Sequence, residues 1–150
     1  MIELKRSNSE NLDFIGLVKH LDADLKIRDG DEHDFFNQYN KLDTIKNVVI
    51  VYLNRQAVGC GAFKLYEDTT VEIKRMFTST EARGNGIGTL VLAELERWAC
   101  EEAFTHAILE TGYRMPEAIG LYSKNGYERI PNYGQYINID ASRCFKKELK

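Results

Sequence analysis

A glycine-rich run between a strand-like segment and a long amphipathic segment constrains the fold of this chain more than any other feature. Residues 83 to 88 read Arg-Gly-Asn-Gly-Ile-Gly, and the apolar spacing that follows predicts a helix over about Gly86–Ala103. Glycine lets the backbone approach a ligand closely. The first N–H groups of a helix have no partner within it, so they attract phosphate. The run therefore predicts an anion-binding turn at the start of a helix.

Composition places the chain among ordinary globular proteins. Its 150 residues fit one domain, 1–150, with 43% hydrophobic and 29% charged residues. A net charge of −3 gives no general footprint for nucleic acid. No apolar run approaches the roughly 20 residues of a membrane helix, and the first residues lack the apolar core of a signal peptide. We therefore expect a cytoplasmic protein without a nucleic-acid or membrane partner.

The cysteines indicate neither a metal site nor a disulfide framework. Cys60, Cys100 and Cys144 lie far apart in the sequence and form no C-x-x-C pair. We expect all three to be buried as small hydrophobic side chains.

Hydrophobic periodicity predicts an α/β fold with a mixed sheet. Apolar runs and alternation predict strands at Ile2–Lys5, Val48–Leu53, Ala57–Tyr66, Thr70–Thr78, His106–Glu110, Tyr127–Ile130 and, with an interruption, about Ile137–Leu149. Helical spacing predicts helices over 10–27, from near Glu32, over Gly86–Ala103 and over Pro116–Lys124, and Ser7-x-x-Glu10 matches a capping box for the first. The order is β-α-α-β-β-β-α-β-α-β-β. A meander of three strands is antiparallel, whereas a strand–helix–strand crossover gives a parallel pair, so the sheet is mixed.

Three phosphate-binding motifs can be compared with the glycine run. A P-loop requires Lys after its last glycine, and none follows here. A dinucleotide-binding turn requires G-x-G-x-x-G; Gly84 and Gly86 fit, but Thr89 occupies the third position, although Glu110 could act as the ribose-binding acid. The third motif, R-x-x-G-x-G, is matched by Arg83, Gly86 and Gly88. A plain turn without a ligand is the remaining alternative.

The third motif resembles the pyrophosphate loop of the GNAT superfamily of N-acetyltransferases. The predicted element order is similar to the GNAT order over the whole chain. Residues 118–127 read Ala-Ile-Gly-Leu-Tyr-Ser-Lys-Asn-Gly-Tyr and resemble the second signature of the family. Residues 109–112, 116–119 and 130–134 resemble a bacterial subgroup whose substrates are mostly unassigned.

This resemblance implies a binding site for acetyl-CoA. Residues of the strand before the loop, the loop itself and the second signature would hold it: Met76, Phe77, Thr78, Arg83, Gly84, Asn85, Gly86, Gly88, Thr89 and Tyr122. Many relatives carry Asn three residues before the alanine of the second signature. Here Met115 stands at that position, so this side-chain contact with the cofactor is absent.

The strand Thr70–Thr78 carries a break in its alternation that points to a β-bulge. Val71 and Ile73 alternate as a strand requires, but Arg75 then falls where an apolar residue is expected. A bulge leaves a backbone group without a ladder partner. In the resembling enzymes this strand is bulged and splayed, which implies that the Met76 N–H faces the acetyl carbonyl.

Two side chains are candidates for proton transfer. Glu72 lies eleven residues before Arg83, the offset of a catalytic glutamate in histone-acetyltransferase relatives; the alternative is a strand-surface Glu opposite a Lys. Tyr122 matches the tyrosine of the second signature, and a phenol can donate a proton to a thiolate of comparable basicity. Its alternative role is core packing, because residues 118, 119 and 122 share a helical face.

The resemblance implies transfer of an acetyl group from acetyl-CoA to a primary amine. Transfer would be direct, through a tetrahedral intermediate and without a metal, because no cysteine lies near the site in sequence. The acceptor would be a small-molecule amine or a peptide or protein amine, and a homodimer is possible. Two alternatives stay open: a non-catalytic acyl-CoA-binding regulator with the same fold, and a dinucleotide-dependent oxidoreductase.

Overall fold

A computed structural model describes residues 1–29 and 45–150. Its strands are β1 (Ile2–Ser7), β2 (Asn47–Leu53), β3 (Gln56–Glu67), β4 (Thr70–Thr78), β5 (His106–Gly112), β6 (Glu128–Ile130) and β7 (Ser142–Glu148). The helices of the described residues are α1 (Leu12–Asp29), α2 (Ile87–Glu101) and α3 (Pro116–Lys124). The helix predicted from near Glu32 lies outside the described residues. Elsewhere the predicted order of elements is confirmed.

The predicted start of the first helix is wrong. Asn11, not Ser7, caps α1, because its Oδ1 accepts hydrogen bonds from the backbone N–H groups of Asp13 at 2.9 Å and Phe14 at 3.2 Å. An asparagine at this position satisfies donors that the helix itself cannot pair. The Ser7-x-x-Glu10 spacing therefore does not form a capping box.

The last strand is shorter than predicted, because the residues before Ser142 turn instead of extending. A short 3₁₀ turn spans Gly134–Tyr136, and the N–H groups of Ile139 and Ser142 then bond to the carbonyls of Tyr136 and Ile139, each at 3.0 Å. These local bonds use the backbone groups that a ladder would need. The segment between β6 and β7 therefore forms a loop that lies against the sheet.

Seven strands form one mixed sheet in the order β1-β2-β3-β4-β5-β7-β6. The β4–β5 pair is parallel and the other pairs are antiparallel, so the predicted α/β class with a mixed sheet is confirmed. Buried side chains of α2 pack on one face with Phe63, Val71 and Ile73. On the other face, α1 packs Phe14 and Val18 against β2 and β3.

The predicted bulge in β4 is confirmed. Cys60 pairs with Phe77 and Ala62 with Lys74, so both Arg75 and Met76 lie opposite Gly61, and Arg75 has a φ of 60°. A left-handed residue in a strand is typical of a site where two residues oppose one.

The parallel pairing of β4 and β5 is short. Thr70, Val71 and Glu72 pair with residues 106–108, and beyond this point the two strands do not pair with each other. Both strands nevertheless continue, to Thr78 and Gly112. The sheet therefore opens between them, and the later residues of β4 face this gap.

The prediction that all three cysteines are buried holds for two of them. Cys60 and Cys144 are fully buried, as predicted, but the prediction is wrong for Cys100, which is only partly buried at the end of α2 and donates its thiol to the Lys150 carbonyl at 3.3 Å. Across residues 1–29 and 45–150, no helix combines the length and apolarity needed to cross a membrane.

Candidate active site

The glycine run forms a turn that leads directly into α2. Gly84 and Gly86 have φ values of 86° and 74°, a conformation that other residues adopt only under strain. Gly86 is the N-terminal cap, and no side chain caps the helix. The first α-helical bond joins the Leu90 N–H to the Gly86 carbonyl. The N–H groups of residues 87–89 thus lie in the helix turn that attracts anions.

A cleft with a volume of about 340 Å³ runs from this turn along β4 to α3. Nine of the ten predicted cofactor residues line it: Met76, Phe77, Thr78, Arg83, Gly84, Gly86, Gly88, Thr89 and Tyr122. Asn85 does not, because its Nδ2 donates to the Ala82 carbonyl at 3.0 Å and so braces the turn from within. The structure therefore brings β4, the turn and the second signature together around one cleft.

Helix α1 supplies wall residues that sequence reasoning missed, namely Leu21 and Asp24. An ion pair between Arg28 of α1 and Glu117 of α3 holds the helix across the cleft. Asp24 also lies 3.9 Å from Arg83, measured from Oδ2 to Nη2. Such contacts join residues far apart in the chain, so no local pattern could have revealed them.

Arg83 braces the turn against the end of β4. Its Nε donates to the Thr78 carbonyl at 3.0 Å, and the guanidinium lies over the Phe77 ring. The side chain also lines the cleft. It thus positions the loop and at the same time places a positive charge beside the helix N-terminus.

Tyr122 stands at the inner end of the cleft. Its side chain is buried, and burial together with the negative charge of Glu110 raises the pKa of its hydroxyl. The hydroxyl is therefore neutral near pH 7 and able to donate a proton.

A second cavity, with a volume of about 110 Å³, begins where the cleft ends. The two spaces share Leu21, Met76, Met115, Ala118 and Tyr122. The second cavity continues along the far side of β4 and β5, where Glu72, Lys74, Glu110 and Tyr136 line it. Tyr122 and Met76 therefore lie at the junction of two spaces that open through the gap in the sheet.

Glu72 is a buried carboxylate in this second cavity. It is 5% exposed although Lys64 pairs with it on β3, so it is not a strand-surface residue. The Tyr133 hydroxyl donates to its Oε2 at 2.7 Å, and the Lys74 Nζ lies 3.7 Å from its Oε1. Burial and the Glu72 charge raise the pKa of Tyr133, which keeps this phenol neutral and donating. Sequence reasoning did not assign Tyr133 to Glu72.

The described residues contain no cluster of three or more His, Cys, Asp or Glu side chains that could hold a metal ion. The side chains that line the two spaces include the carboxylates of Glu72 and Glu110 and the phenols of Tyr122 and Tyr136. A splayed mixed sheet, a glycine turn at a helix start and a buried tyrosine at the gap together define the GNAT class of fold.

Comparison with known families agrees with this class. The pattern of the Acetyltransferase (GNAT) family matches residues 15–127. The chain therefore belongs to the GNAT acetyltransferase family.

Individual relatives agree with the family. The chain is 38% identical over 93 residues to an IAA acetyltransferase of Azospirillum brasilense, covering 61% of each chain. It is 35% identical over 112 residues to Probable N-acetyltransferase 14 of Xenopus tropicalis, covering 74% of this chain and 54% of the relative. The chain thus spans less than two thirds of the length of either relative.

Solved structures share the fold. A Klebsiella pneumoniae protein assigned to the acyl-CoA N-acyltransferases has a TM-score of 0.84 and 29% identity, covering 100% of this chain and 99% of its own. A GNAT family acetyltransferase of Elizabethkingia anophelis, solved with acetyl-CoA bound, has a TM-score of 0.69 and 17% identity, covering 99% and 98%.

Proposed function

We propose that this protein is an N-acetyltransferase that moves an acetyl group from acetyl-CoA to a primary amine. The observation that carries the proposal is the junction of two spaces at Met76 and Tyr122. The larger cleft ends in an anion-binding turn, and the smaller cavity holds the buried carboxylate of Glu72. A donor and an acceptor can therefore approach the same point from opposite sides of the sheet.

The residues of the cleft fit acetyl-CoA. The turn at Gly84 and Gly86 offers N–H groups and the positive end of a helix dipole to a pyrophosphate. Thr89 lines the same end of the cleft and adds a hydroxyl. Beyond the pairing with β5, the backbone of Met76 and Thr78 borders the gap, where an extended pantetheine arm can add to the sheet as a strand does.

The reaction requires a polarised carbonyl and two proton transfers. We assign the Met76 N–H to the carbonyl oxygen, because the bulge takes it out of the ladder register with β3. A donor of this kind contributes about 3 kcal/mol to lowering the barrier. Glu72, directly or through water, accepts the proton of the amine, and the nitrogen then bonds to the acetyl carbon in a tetrahedral intermediate. The carbon–sulfur bond breaks as Tyr122 gives its proton to the leaving thiolate, so transfer is direct.

The phenol of Tyr122 gives the sharpest test. Tyr122→Phe should lower kcat by about 10²-fold or more, while the KM for acetyl-CoA stays unchanged, because a general acid contributes about 10²–10⁴-fold. Steady-state thiol release with an accepted amine measures both constants. Tyr127→Phe is the matched control. The ring centroid of Tyr127 lies 5.9 Å from that of Tyr122, but its buried hydroxyl donates to Glu96, outside the site. This variant should therefore keep kcat. Full kcat in Tyr122→Phe would show that another group protonates the thiolate.

Ligand binding separates this proposal from its rivals. Acetyl-CoA should raise the melting temperature, whereas NAD(P)H should not. Stabilisation by acetyl-CoA without turnover of any amine would instead identify an acyl-CoA-binding regulator. Stabilisation by NAD(P)H alone would identify a dinucleotide enzyme.

A further inference from the structure

The second cavity is much smaller than the cofactor cleft, about 110 Å³ against about 340 Å³. An apolar protein cavity of ~150 Å³ is enough for a benzene molecule, and one water molecule accounts for ~30 Å³ of liquid. The cavity beside Tyr122 is therefore smaller than one that holds a benzene molecule.

Part of the wall of this cavity is apolar. Leu21 and Leu25 border it from α1, Ile73 and Met76 from β4, and the Tyr136 ring from the loop before β7. Such walls favour methylene groups over polar ones. A wall of packed side chains also resists widening, because protein interiors are close-packed.

Charged side chains reach the same cavity from β4 and β5. Glu72 and Glu110 are its carboxylates, and Lys74 and Arg75 are its cations. Arg75 Nη1 lies 3.1 Å from Asp22 Oδ1 on α1, and Lys74 Nζ lies 3.7 Å from Glu72 Oε1. The cavity thus forms a small passage in which the two carboxylates can accept hydrogen bonds from an ammonium group.

Hydroxyl groups fix both carboxylates in place. Tyr133 donates to Glu72 Oε2 and Ser142 donates to Glu110 Oε2, each at 2.7 Å. Glu72 pairs with Ile108 across the parallel ladder, so Glu110 lies two residues further along the neighbouring strand and on the same face. Two oriented carboxylates therefore flank the passage from adjacent strands.

We propose that the acceptor is a primary amine at the end of an unbranched alkyl chain, which enters this cavity as an ammonium ion between Glu72 and Glu110, releases one proton to solvent and then reacts as the neutral amine. This inference rests on the proposed acetyl transfer. It disfavours acceptors whose amine is attached to a branched carbon or lies next to an aromatic ring, because both need more room beside the nitrogen in a cavity of about 110 Å³.

The test compares three amines with the intact enzyme: n-butylamine, its isomer sec-butylamine, and benzylamine. Release of the CoA thiol and the mass of the acetylated product give kcat/KM for each. We expect n-butylamine to exceed both others by at least about tenfold, since one misplaced methylene in a tight pocket costs about 10–200-fold. This comparison needs no variant.

Variants of α1 locate the selectivity. Leu25→Ala widens the wall and should reduce the preference for n-butylamine over benzylamine by about tenfold. Ile27→Ala on the same helix is the control, because Ile27 is 82% exposed and outside the cavity.

Glu110→Gln should raise the KM for n-butylamine by about tenfold while the KM for acetyl-CoA stays unchanged.

The outcomes distinguish the two proposals. Similar kcat/KM values for the three amines would leave acetyl transfer established and would refute the narrow passage. An unchanged preference in Leu25→Ala would likewise refute it. Stabilisation by acetyl-CoA without turnover of any amine would refute the proposed function and, with it, this inference.

Discussion

Gly61 lies opposite the bulge of β4, and its replacement by alanine tests the packing that sets the site. A Cβ at this position would lie 2.5 Å from the Met76 Sδ, 2.7 Å from Val91 Cγ1 and 2.9 Å from Leu95 Cδ1. Met76 can rotate away, but Val91 and Leu95 are fully buried on α2 and have no space to do so. The substitution therefore overfills the contact between β3 and α2.

The expected cost follows from these contacts. Overpacking a core destabilises a protein by about 1–3 kcal/mol. Replacing glycine by alanine recovers about 0.4–1 kcal/mol through the unfolded chain. Gly61→Ala should therefore lower the free energy of unfolding by about 1–2 kcal/mol. For a chain of this length that lowers Tm by about 2–8 °C.

Thermal and urea unfolding measure this change, and Gly16→Ala is the matched control. Gly16 lies inside α1. Apart from its neighbours along the helix, no atom of residues 1–29 and 45–150 lies within 4 Å of the position its Cβ would take. Alanine is a better helix former than glycine by about 0.5–1 kcal/mol, so this variant should raise Tm. Only Gly61→Ala should also lower kcat, since it displaces Met76. An unchanged or higher Tm in Gly61→Ala would refute the close approach of α2 to the bulge.

Two further predictions concern tyrosine hydroxyls. Tyr133→Phe should lower kcat about tenfold without changing the KM for acetyl-CoA, because a hydrogen bond to a charged group contributes about 1.5–3 kcal/mol and here orients Glu72. In a Glu72→Gln background, Tyr133→Phe should cause no further loss of kcat. Tyr66→Phe is the control: it alters the ring that packs on Tyr133 and should leave kcat unchanged. Equal losses of kcat in the wild-type and Glu72→Gln backgrounds would show that Tyr133 acts independently of Glu72. Burial and a 2.6 Å bond to Asp13 raise the pKa of Tyr52 from 10.0 to about 12. Because the pKa is higher in the folded state, the Tyr52 hydroxyl contributes stability that is complete below pH 10 and is lost as the pH rises towards 12. The difference in urea midpoint between wild type and Tyr52→Phe should therefore narrow over that range. A constant difference would contradict the raised pKa of Tyr52.

Much of the fold follows from local patterns, and these were the parts that the sequence predicted well. β4 and α3 begin and end at the predicted residues. Alternation of apolar side chains marks β4, and Pro116 marks the first turn of α3. Gly126 has a φ of 90°, and the Tyr127 N–H bonds to the Tyr122 carbonyl, so the predicted glycine after α3 ends that helix. The irregular position of Arg75 revealed the bulge for the same reason: a break in a period of two is visible in a single strand.

Two boundaries of helices and strands could not be predicted in this way. Asn11 caps α1 because of the local geometry of one turn, and several nearby polar residues offered the same chemistry. The last strand starts at Ser142, because the backbone groups of the loop before it form hydrogen bonds within the loop, and its Tyr136 packs against the sheet.

By itself, the sequence determined the family, the mixed sheet and the bulged strand that precedes the glycine turn, because a glycine turn, a helix start and a bulge are each encoded within a short segment. Tertiary structure alone decided which side chains meet in the second cavity. Glu72 meets Tyr133 across 61 residues of chain, and Arg28 of α1 meets Glu117 across the cleft. Such contacts arise only when strands and helices pack, since the width and charge of a cavity belong to the surfaces that close it rather than to any one segment.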